Sequence, residues 1–516
     1  MAEPQVSPDV QTSPIFRIRG QRSRYRYPHE RLTPENQTFA RDLNLSEFGT
    51  ADRRGGYEKW STSQLSPNEP VTGLFQQTFV TPAATHQVIC TRSKIWADDG
   101  TTRKDITGSV SLSGGNDDRV RSAHILDQMC MTNGKDSPFI WAGDYAGPTT
   151  AAAMTLGGTF SACKDLVAYE NLLVALAPTE GGTLKNTRIR WSDIDTKLFR
   201  PDIEVWPSDN SYELDEGSES IVGGVNNFGR LLVFKEDGLY PGFFEFDVGY
   251  ISFEQDQPKL GFRPIARHSI LAHPQFVWCV ANDGAYIVRP DLSVQKVTGD
   301  VQNEWSDLNS SRIQYAVSTL RHKDHQVRTL LSTANNDAGH NLIMVWDWET
   351  EDIFFERPTD TMSHHSRLLE SEVEYDFLAG QTSGYIYRGN KGTDDDGTSF
   401  GWELITAAND LGYPNRAKQI ISVIVWYKAV GESQTVTAQL VRDQGTRSSR
   451  SKNLTFGSDL TWNGGSTYNS GLSWPGGSNR KGRFFVNRTA ENVSLHLTGT
   501  DDVNLHGYSV EFILLE

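Results

Sequence analysis

A repeat of glycine turns constrains the fold of this chain more than any other feature of its sequence. Apolar strands lead into a glycine turn and an aromatic-bearing strand often follows, as in LLVFKEDGLY (231–240), VWCVANDGAYIV (277–288) and FLAGQTSGYIY (377–387). Asp-Gly and Ser-Gly turns between alternating apolar residues are typical of β-hairpins. The turns recur with successive spacings of 48, 56, 46, 55 and 45 residues, at Gly134, Gly182, Gly238, Gly284, Gly339 and Gly384.

A period of about fifty residues is what a four-stranded propeller blade requires with its loops. We therefore predict an all-β protein with a β-propeller of six or seven blades over residues 61–410. The 516-residue length allows two or three domains, and the 45 glycines fit many short strands joined by turns. The hairpin pattern is weak at Gly182 and Gly339, so β-domains in linear series are the rival architecture.

The two ends of the chain have a different character. Residues 1–60 are punctuated by proline and carry a basic cluster, and they are predicted to form an extended arm that gains order on assembly; a solvated basic tail is the alternative. The cluster comprises Arg17, Arg19, Arg22, Arg24, Arg26 and Arg31. Residues 411–516 contain strand-like segments around a loop rich in glycine and tryptophan (460–482), which predicts a β-sandwich.

Charge and hydropathy limit the classes of function. The formal net charge of −16 argues against a general nucleic-acid binder, whose affinity would come from neutralising phosphates. The segment MAEPQVSPDV has no apolar core, so no signal peptide is expected. No stretch approaches the roughly 20 apolar residues of a membrane-spanning helix, and a soluble protein made in the cytoplasm, without a membrane anchor, is expected.

No catalytic, cofactor-binding or metal-binding signature is found, and the chain is predicted not to be an enzyme. GxSxG, HExxH and Walker motifs are missing. The four cysteines lie far apart, which favours buried free thiols over a disulfide framework or a zinc site. They are Cys90, Cys130, Cys163 and Cys279.

Two polar clusters are interpreted as surface features. His364 and His365 are adjacent, so on a strand they would point to opposite faces, and an exposed loop pair is the preferred interpretation. Asp394, Asp395 and Asp396 lack the alternating spacing of a calcium loop, and a solvated loop tip is expected.

Several segments, in order, resemble the propeller proteins of phage tails, namely the tail nozzle (tail tubular) and packaged-DNA stabilisation proteins. The first is NLSEFGTADRRGGYEKW (44–60), with its Glu-Phe-Gly and paired arginines. The others are KIWADDGTTRKDITG (94–108), TNGKDSPFIWAG (132–143), RIRWSDIDTKLF (188–199), LLVFKEDGLY (231–240) and ANDGAYIV (281–288). Residues 198–206 depart from the family pattern.

The resemblance implies a virion structural protein that forms an oligomeric ring, commonly a hexamer, in the distal tail. Such a ring extends the conduit for DNA ejection, helps to retain packaged DNA and attaches other tail parts. The implied partners are copies of itself, adaptor or portal-proximal proteins, tail fibres or a needle, and double-stranded DNA that passes without specific binding. The resemblance also implies residues that make assembly contacts. These are Arg53, Arg54 and the arm residues Arg17, Arg19, Arg22, Arg24 and Arg26.

Two other functions stay open at the level of sequence. The first is a host-recognition module that binds surface glycans, with Trp462 and Trp474 as stacking residues. The second is a propeller glycosidase, which requires two carboxylates about 5–10 Å apart in a central pocket. The 65 acidic residues single out no such pair.

Overall fold

Seven four-stranded antiparallel sheets follow one another along the described part of the chain. The computed structural model describes residues 10–17, 37–45, 50–61, 63–145, 150–195, 200–214, 219–245, 250–253, 262–336, 338–428, 434–443, 447–448, 451–456 and 480–515. Six of the sheets have their four principal strands in sequence order, and the seventh takes its fourth strand from residues 57–59. The first strands of neighbouring sheets pack against each other. This arrangement confirms the predicted all-β fold and β-propeller, with seven blades.

Blades 1 to 4 each run from an inner strand to an outer strand. Blade 1 comprises Val71–Val80, Ala83–Thr91, Ile95–Asp98 and Arg103–Asp105. Blade 2 comprises Arg121–Ile125, Gln128–Thr132, Phe139–Trp141 and Ala152–Ala153. Blade 3 comprises Phe160–Tyr169, Leu172–Glu180, Arg188–Trp191 and Ser211–Glu213, with Thr183–Leu184 beside the second strand. Blade 4 comprises Ile221–Asn227, Arg230–Lys235, Gly238–Glu245 and Tyr250–Phe253.

Blades 5 to 7 complete the circle. Blade 5 comprises Pro264–His273, Phe276–Ala281, Gly284–Val288 and Val294–Lys296. Blade 6 comprises Val317–Arg321, Gln326–Leu331, Leu342–Asp347 and Ile353–Glu356. Blade 7 comprises Met362–Glu370, Val373–Gly380, Ile386–Gly389 and, as its outer strand, Tyr57–Lys59. A two-stranded ribbon (Asp193–Asp195, Arg200–Asp202) lies between the third and fourth strands of blade 3, and three short helices in the described residues (Thr298–Val301, Gln302–Ser306, Ile313–Tyr315) lie between blades 5 and 6.

The predicted turn glycines occupy one recurrent position. Each of the six follows the second strand of its blade, in blades 2 to 7. Blade 1 makes the same connection through Arg92, Ser93 and Lys94, so it carries no glycine signal. The glycine period therefore marks six of the seven blades.

Apolar side chains from adjacent blades form a separate core at six of the seven blade boundaries, and the core between blades 6 and 7 is continuous with that of the sandwich. Phe79 of blade 1 meets Trp141 of blade 2 with ring centroids 5.2 Å apart. Trp278 of blade 5 and Trp346 of blade 6 stack at 5.3 Å. Aromatic pairs at these distances add to the energy of burial, so these two boundaries are packed cores in their own right.

Two further sheets face each other across a shared apolar core and form a sandwich. One sheet comprises Leu43–Leu45, Ala51–Arg53, Asn504–Leu514, Lys418–Lys428 and Arg480–Ala490, with Gln11–Thr12 beside its Asn504–Leu514 strand. The other comprises Gln37–Arg41, Trp402–Thr406, Val493–Gly499, Gln434–Arg442, Arg447–Ser448 and Lys452–Phe456. Gln37–Arg41 also pairs with the outer strand of blade 6, so this sheet continues into the propeller.

The described residues between 37 and 59 form what we call the N-terminal strap. It supplies strands to both sandwich sheets and the outer strand of blade 7. That outer strand pairs with the third strand of the blade, with Tyr57 opposite Gly389 and Lys59 opposite Tyr387. The ring of blades is thus closed by a segment that precedes the whole propeller in sequence. Ordering of the arm on assembly stays a prediction.

Candidate functional site

The residues predicted to make assembly contacts fall into different environments. Arg17 is exposed. The side chains of Arg53 and Arg54 are only 4% and 5% exposed. The remaining arm residues lie outside the described residues: Arg19, Arg22, Arg24 and Arg26. Their assembly roles stay predictions.

Arg54 joins the strap to the end of blade 7. Its Nε donates to Asp42 Oδ1 at 2.6 Å, while Nη1 and Nη2 donate to the two carboxylate oxygens of Asp395 at 2.8 and 2.7 Å. The guanidinium carbon lies 3.6 Å from the centroid of the Phe400 ring. Bidentate pairing and stacking together fix the planar group, so Arg54 acts within the chain as a clasp.

The acidic loop at 394–396 is only partly a surface feature. Asp394 and Asp396 are exposed, as expected, and Asp396 binds Lys59 at 2.9 Å. The expectation of a solvated loop tip is wrong for Asp395, which is 1% exposed because it accepts both hydrogen bonds from Arg54. Within the described ranges, no group of three or more His, Cys, Asp or Glu side chains is placed to hold a metal ion.

The inner strands enclose a cavity of about 340 Å³ at the propeller axis. Blades 1, 2, 5, 6 and 7 contribute to its wall. None of the described residues that line it is Asp or Glu, so this cavity does not supply the acid pair of a glycosidase. Its basic and imidazole side chains are Arg121, Arg367, His268, His322, His364 and His365.

Two more arginines lie beside this cavity. Arg119 is buried and contacts His340 Nε2 through Nη2 at 3.0 Å, and its Nη1 donates to the carbonyl of Ser363. Arg267 donates to His268 Nε2 at 3.2 Å and to the carbonyls of Lys164 and Arg119. Among the described residues, no carboxylate forms an ion pair with either guanidinium. Burial lowers the pKa of both groups to about 10, so they stay charged at neutral pH.

His364 and His365 belong to the inner strand of blade 7, and the interpretation as an exposed loop pair is wrong. Both are buried because this strand lines the axis. His365 Nε2 contacts Asp376 Oδ1 at 2.9 Å. His364 instead faces Phe75 and His268, with ring centroids 6.3 and 6.2 Å away.

The two ring nitrogens of His364 have no hydrogen-bond partner, although the residue is only 4% exposed. Burial, followed by the nearby Arg119, lowers its pKa well below the usual value. Burial and Arg267 do the same to the pKa of His268. These rings are therefore neutral at pH 7 and can each donate one N–H.

A buried ionic network lies between blades 6 and 7. Asp376 binds His365 on one side and Arg328 Nε on the other, at 3.1 Å, and Arg321 lies 3.6 Å away. Glu356 pairs with Arg328. Although burial alone would raise it, the pKa of Asp376 is lowered because Arg328 and Arg321 outweigh desolvation. The network neutralises itself and needs no ligand.

Exposed aliphatic side chains gather at the hairpin tips of three adjacent blades. Each tip joins the first and second strands of blade 7, 1 or 2, so the tips lie on one propeller face. Asp127 accepts hydrogen bonds from the amides of Val80 and Thr81, which ties the tips of blades 1 and 2 together. The exposed side chains are Val80, Leu126, Leu369 and Val373. We call these four residues the tip patch.

Sequence reasoning missed the axial cluster because its members come from different blades. Each short segment that contributes to the cluster, such as Arg119-Val120-Arg121 or Arg267-His268, has two polar residues in or next to its own strand, which is common in any sequence. An alignment of the seven blade sequences with one another would have shown that basic residues recur in the inner strands. The four cysteines are buried as predicted. Trp462 and Trp474 lie outside the described residues.

No helix among the described residues is long and apolar enough to cross a membrane. Neither a family model nor a curated protein matches the chain. The chain is similar to the β-propeller domain of Cps50 (Swd1) from Myceliophteria thermophila, at 10% identity and a TM-score of 0.41, over 65% of this chain and 99% of that one.

Two further solved structures are similar at the same level. The WD40 domain of Neurospora crassa Pan2 matches at 9% identity and a TM-score of 0.38, over 67% of this chain and 97% of that one. The extracellular domain of the putative hybrid two-component system BT4673 from B. thetaiotaomicron matches at 9% identity and a TM-score of 0.39, over 73% of this chain and 45% of that one.

Proposed function

We propose that this protein is a virion structural protein, one subunit of an oligomeric ring in a phage tail. The ring is a conduit for DNA ejection, helps to retain packaged DNA and attaches other tail parts. The ordered resemblance to tail nozzle and packaged-DNA stabilisation proteins carries the proposal. Its first segment forms part of the strap, and the other five fall one by one on blades 1 to 5, in order.

The DNA path in this proposal runs between subunits and not through a propeller. The axial cavity has a volume of about 340 Å³, which is the size of a small-molecule site. A double helix, whose major groove alone is about 12 Å wide, does not fit in it. Arg119 and His340 also pack at the axis of the propeller. The net charge of −16 suits a wall along which DNA slides without sticking.

The tip patch is our candidate for a contact between subunits. Aliphatic side chains that gather on one face often mark protein interfaces, whereas single exposed ones need no explanation. Val80 is 76% exposed and Leu126 is 42% exposed. Identical subunits in a ring bury such surfaces by cyclic symmetry.

Native mass spectrometry of the purified chain, alone and with tail extract, tests the proposal. We expect a closed ring, with six copies of the 57.6 kDa chain as the expected stoichiometry. A chain that stays monomeric in both samples would overturn the ring and would favour the glycan-binding tail module, which a glycan array would then examine.

A pair of matched variants locates the interface. Val80→Asp with Leu126→Asp places two charges on the tip patch and should shift the ring to monomers. Leu184→Asp is the control, since Leu184 is 48% exposed and follows the second strand of blade 3, on the opposite propeller face. Equal assembly of the two variants would exclude the tip patch from the interface.

A further inference from the structure

The axial cavity has the properties of a site for a small organic anion. We propose that it binds a hydroxylated anion, a sugar acid or a sugar phosphate, through Arg121, His268 and His364. Its volume of about 340 Å³ falls in the range of small-molecule sites. This inference concerns the single chain and does not rest on the proposed ring.

The charges around the cavity favour an anion. Two carboxylates that pair with residues of the wall are already engaged. Asp165 accepts from Arg121 Nε at 3.1 Å and from the amide of Gly224, while Asp376 is held by His365. Arg119 and Arg267 form no ion pair with a carboxylate among the described residues, although Asp117 and Asp165 act on them at longer range. The lining itself has Arg121 and Arg367 and no Asp or Glu among the described residues, so it carries a surplus of positive charge. Such a surplus is unusual in a chain whose net charge is −16.

His364 gives a second, independent indication of a ligand. A buried polar group normally has a hydrogen-bond partner, and one without a partner requires an explanation. His364 lines the cavity, is 4% exposed, and has two ring nitrogens without a partner. Both nitrogens are covered by neighbouring protein atoms, so the ring has to turn toward the cavity before a carboxylate or phosphate oxygen there can accept its N–H.

The rest of the wall indicates what kind of anion would fit. Phe75, Leu271 and Leu320 provide apolar surface, and Thr319 and Ser366 provide hydroxyl groups. This mixture suits a compact carbon skeleton that carries hydroxyl groups as well as a charge. Whether the charge is a carboxylate or a phosphate is decided by experiment.

Isothermal titration calorimetry of the full-length protein provides the test. The probes are D-glucuronate, D-glucose 6-phosphate and uncharged D-glucose. We expect at least one of the two charged sugars to bind at one site per chain, and the tighter one identifies the charged group. Failure of both charged sugars, or equal binding of glucose, would overturn the proposal.

Variants then assign the binding to this cavity. His364→Phe keeps an aromatic ring, removes the donor, and should weaken binding at least tenfold. His496→Phe is the matched control. His496 contacts Glu403 on the neighbouring strand of a sandwich sheet and does not line the cavity. Leu271→Trp should fill the cavity and abolish binding even if His364→Phe fails to fold. Unchanged affinity in folded His364→Phe or Leu271→Trp would place the anion elsewhere and refute the site.

Discussion

The blades and the N-terminal strap differ in the range of the contacts that build them. Within blade 4 or 5, every strand pairs with a neighbour in sequence, through short turns. The strap instead pairs with strands hundreds of residues away, and Arg54 and Asp395 are separated by 341 positions. Local pairing leaves a periodic trace in the sequence, whereas distant pairing leaves none.

This difference explains how the two regions contribute to stability. Six of the seven blade boundaries have their own apolar core, so the propeller distributes its stability around the circle. The strap joins blade 7, blade 6 and both sandwich sheets, its apolar residues share one core with them, and Arg54 adds buried polar contacts. We expect a deletion or substitution in the strap to destabilise several sheets at once.

Two truncations should separate these roles, and the longer one should have the largest effect. Deletion of residues 1–60 removes the outer strand of blade 7 as well as strands of both sandwich sheets. We expect it to abolish the single cooperative thermal transition. Deletion of residues 1–43 removes Gln37–Arg41 and Asp42 but retains Tyr57–Lys59, so the propeller should stay folded, with lower stability, while assembly is impaired. Circular dichroism and calorimetry measure both, and identical melting of the two variants would refute a closing role for Tyr57–Lys59.

Arg54→Ala should have the next largest effect. Removal of the guanidinium leaves Asp42 and Asp395 buried without their partner, and breaking a buried pair in this way costs about 3–5 kcal/mol of unfolding free energy. Urea denaturation measures the loss.

Lys94→Ala is the control for the clasp. Lys94 and Asp105 are both 38% exposed, and loss of such a surface pair should cost at most about 1 kcal/mol. If the two variants lose equal stability, the clasp is no stronger than a surface ion pair, and the strap must be held by its backbone pairing instead.

The sequence predicted those parts of the fold that depend on local pattern. Hairpin turns at Gly238 and Gly284 revealed the blade period, and blade 1 was hidden only because residues 92–94 contain no glycine. The strand Tyr57–Lys59 has three residues, so its assignment needs its partner, the third strand of blade 7. Pattern alone could not supply that partner.

The axial site was beyond sequence reasoning for a related reason. His364 looked like half of a surface pair because adjacent histidines give no indication of burial. Its environment consists of Phe75 from blade 1 and His268 from blade 5. The circular arrangement of the blades brings these residues together. Burial of Asp395 was hidden in the same way, since the strap residue Arg54 determines it.

The pH dependence of stability should distinguish the axis from the strap, with the smallest of these effects. His268, His340 and His364 have pKa values well below their usual value, first because they are buried and then because arginines lie nearby. An unfolded histidine takes up a proton as the pH falls through about 6.5, and the folded rings do not. The native state is therefore favoured above that pH and loses stability below it.

Each buried histidine should contribute a loss of about 1.4 kcal/mol per pH unit below 6.5, until the pH reaches its folded-state pKa. His364→Phe removes one such group. The slope of the unfolding free energy against pH, between pH 6.5 and 5, should therefore fall by the contribution of one bound proton, about 1.4 kcal/mol per pH unit. Arg54→Ala should keep the full slope, although its absolute stability is lower. Urea denaturation at several pH values gives these slopes. An unchanged slope in His364→Phe would mean that His364 titrates alike in the folded and unfolded chains, and that the arginines at the axis do not hold it neutral.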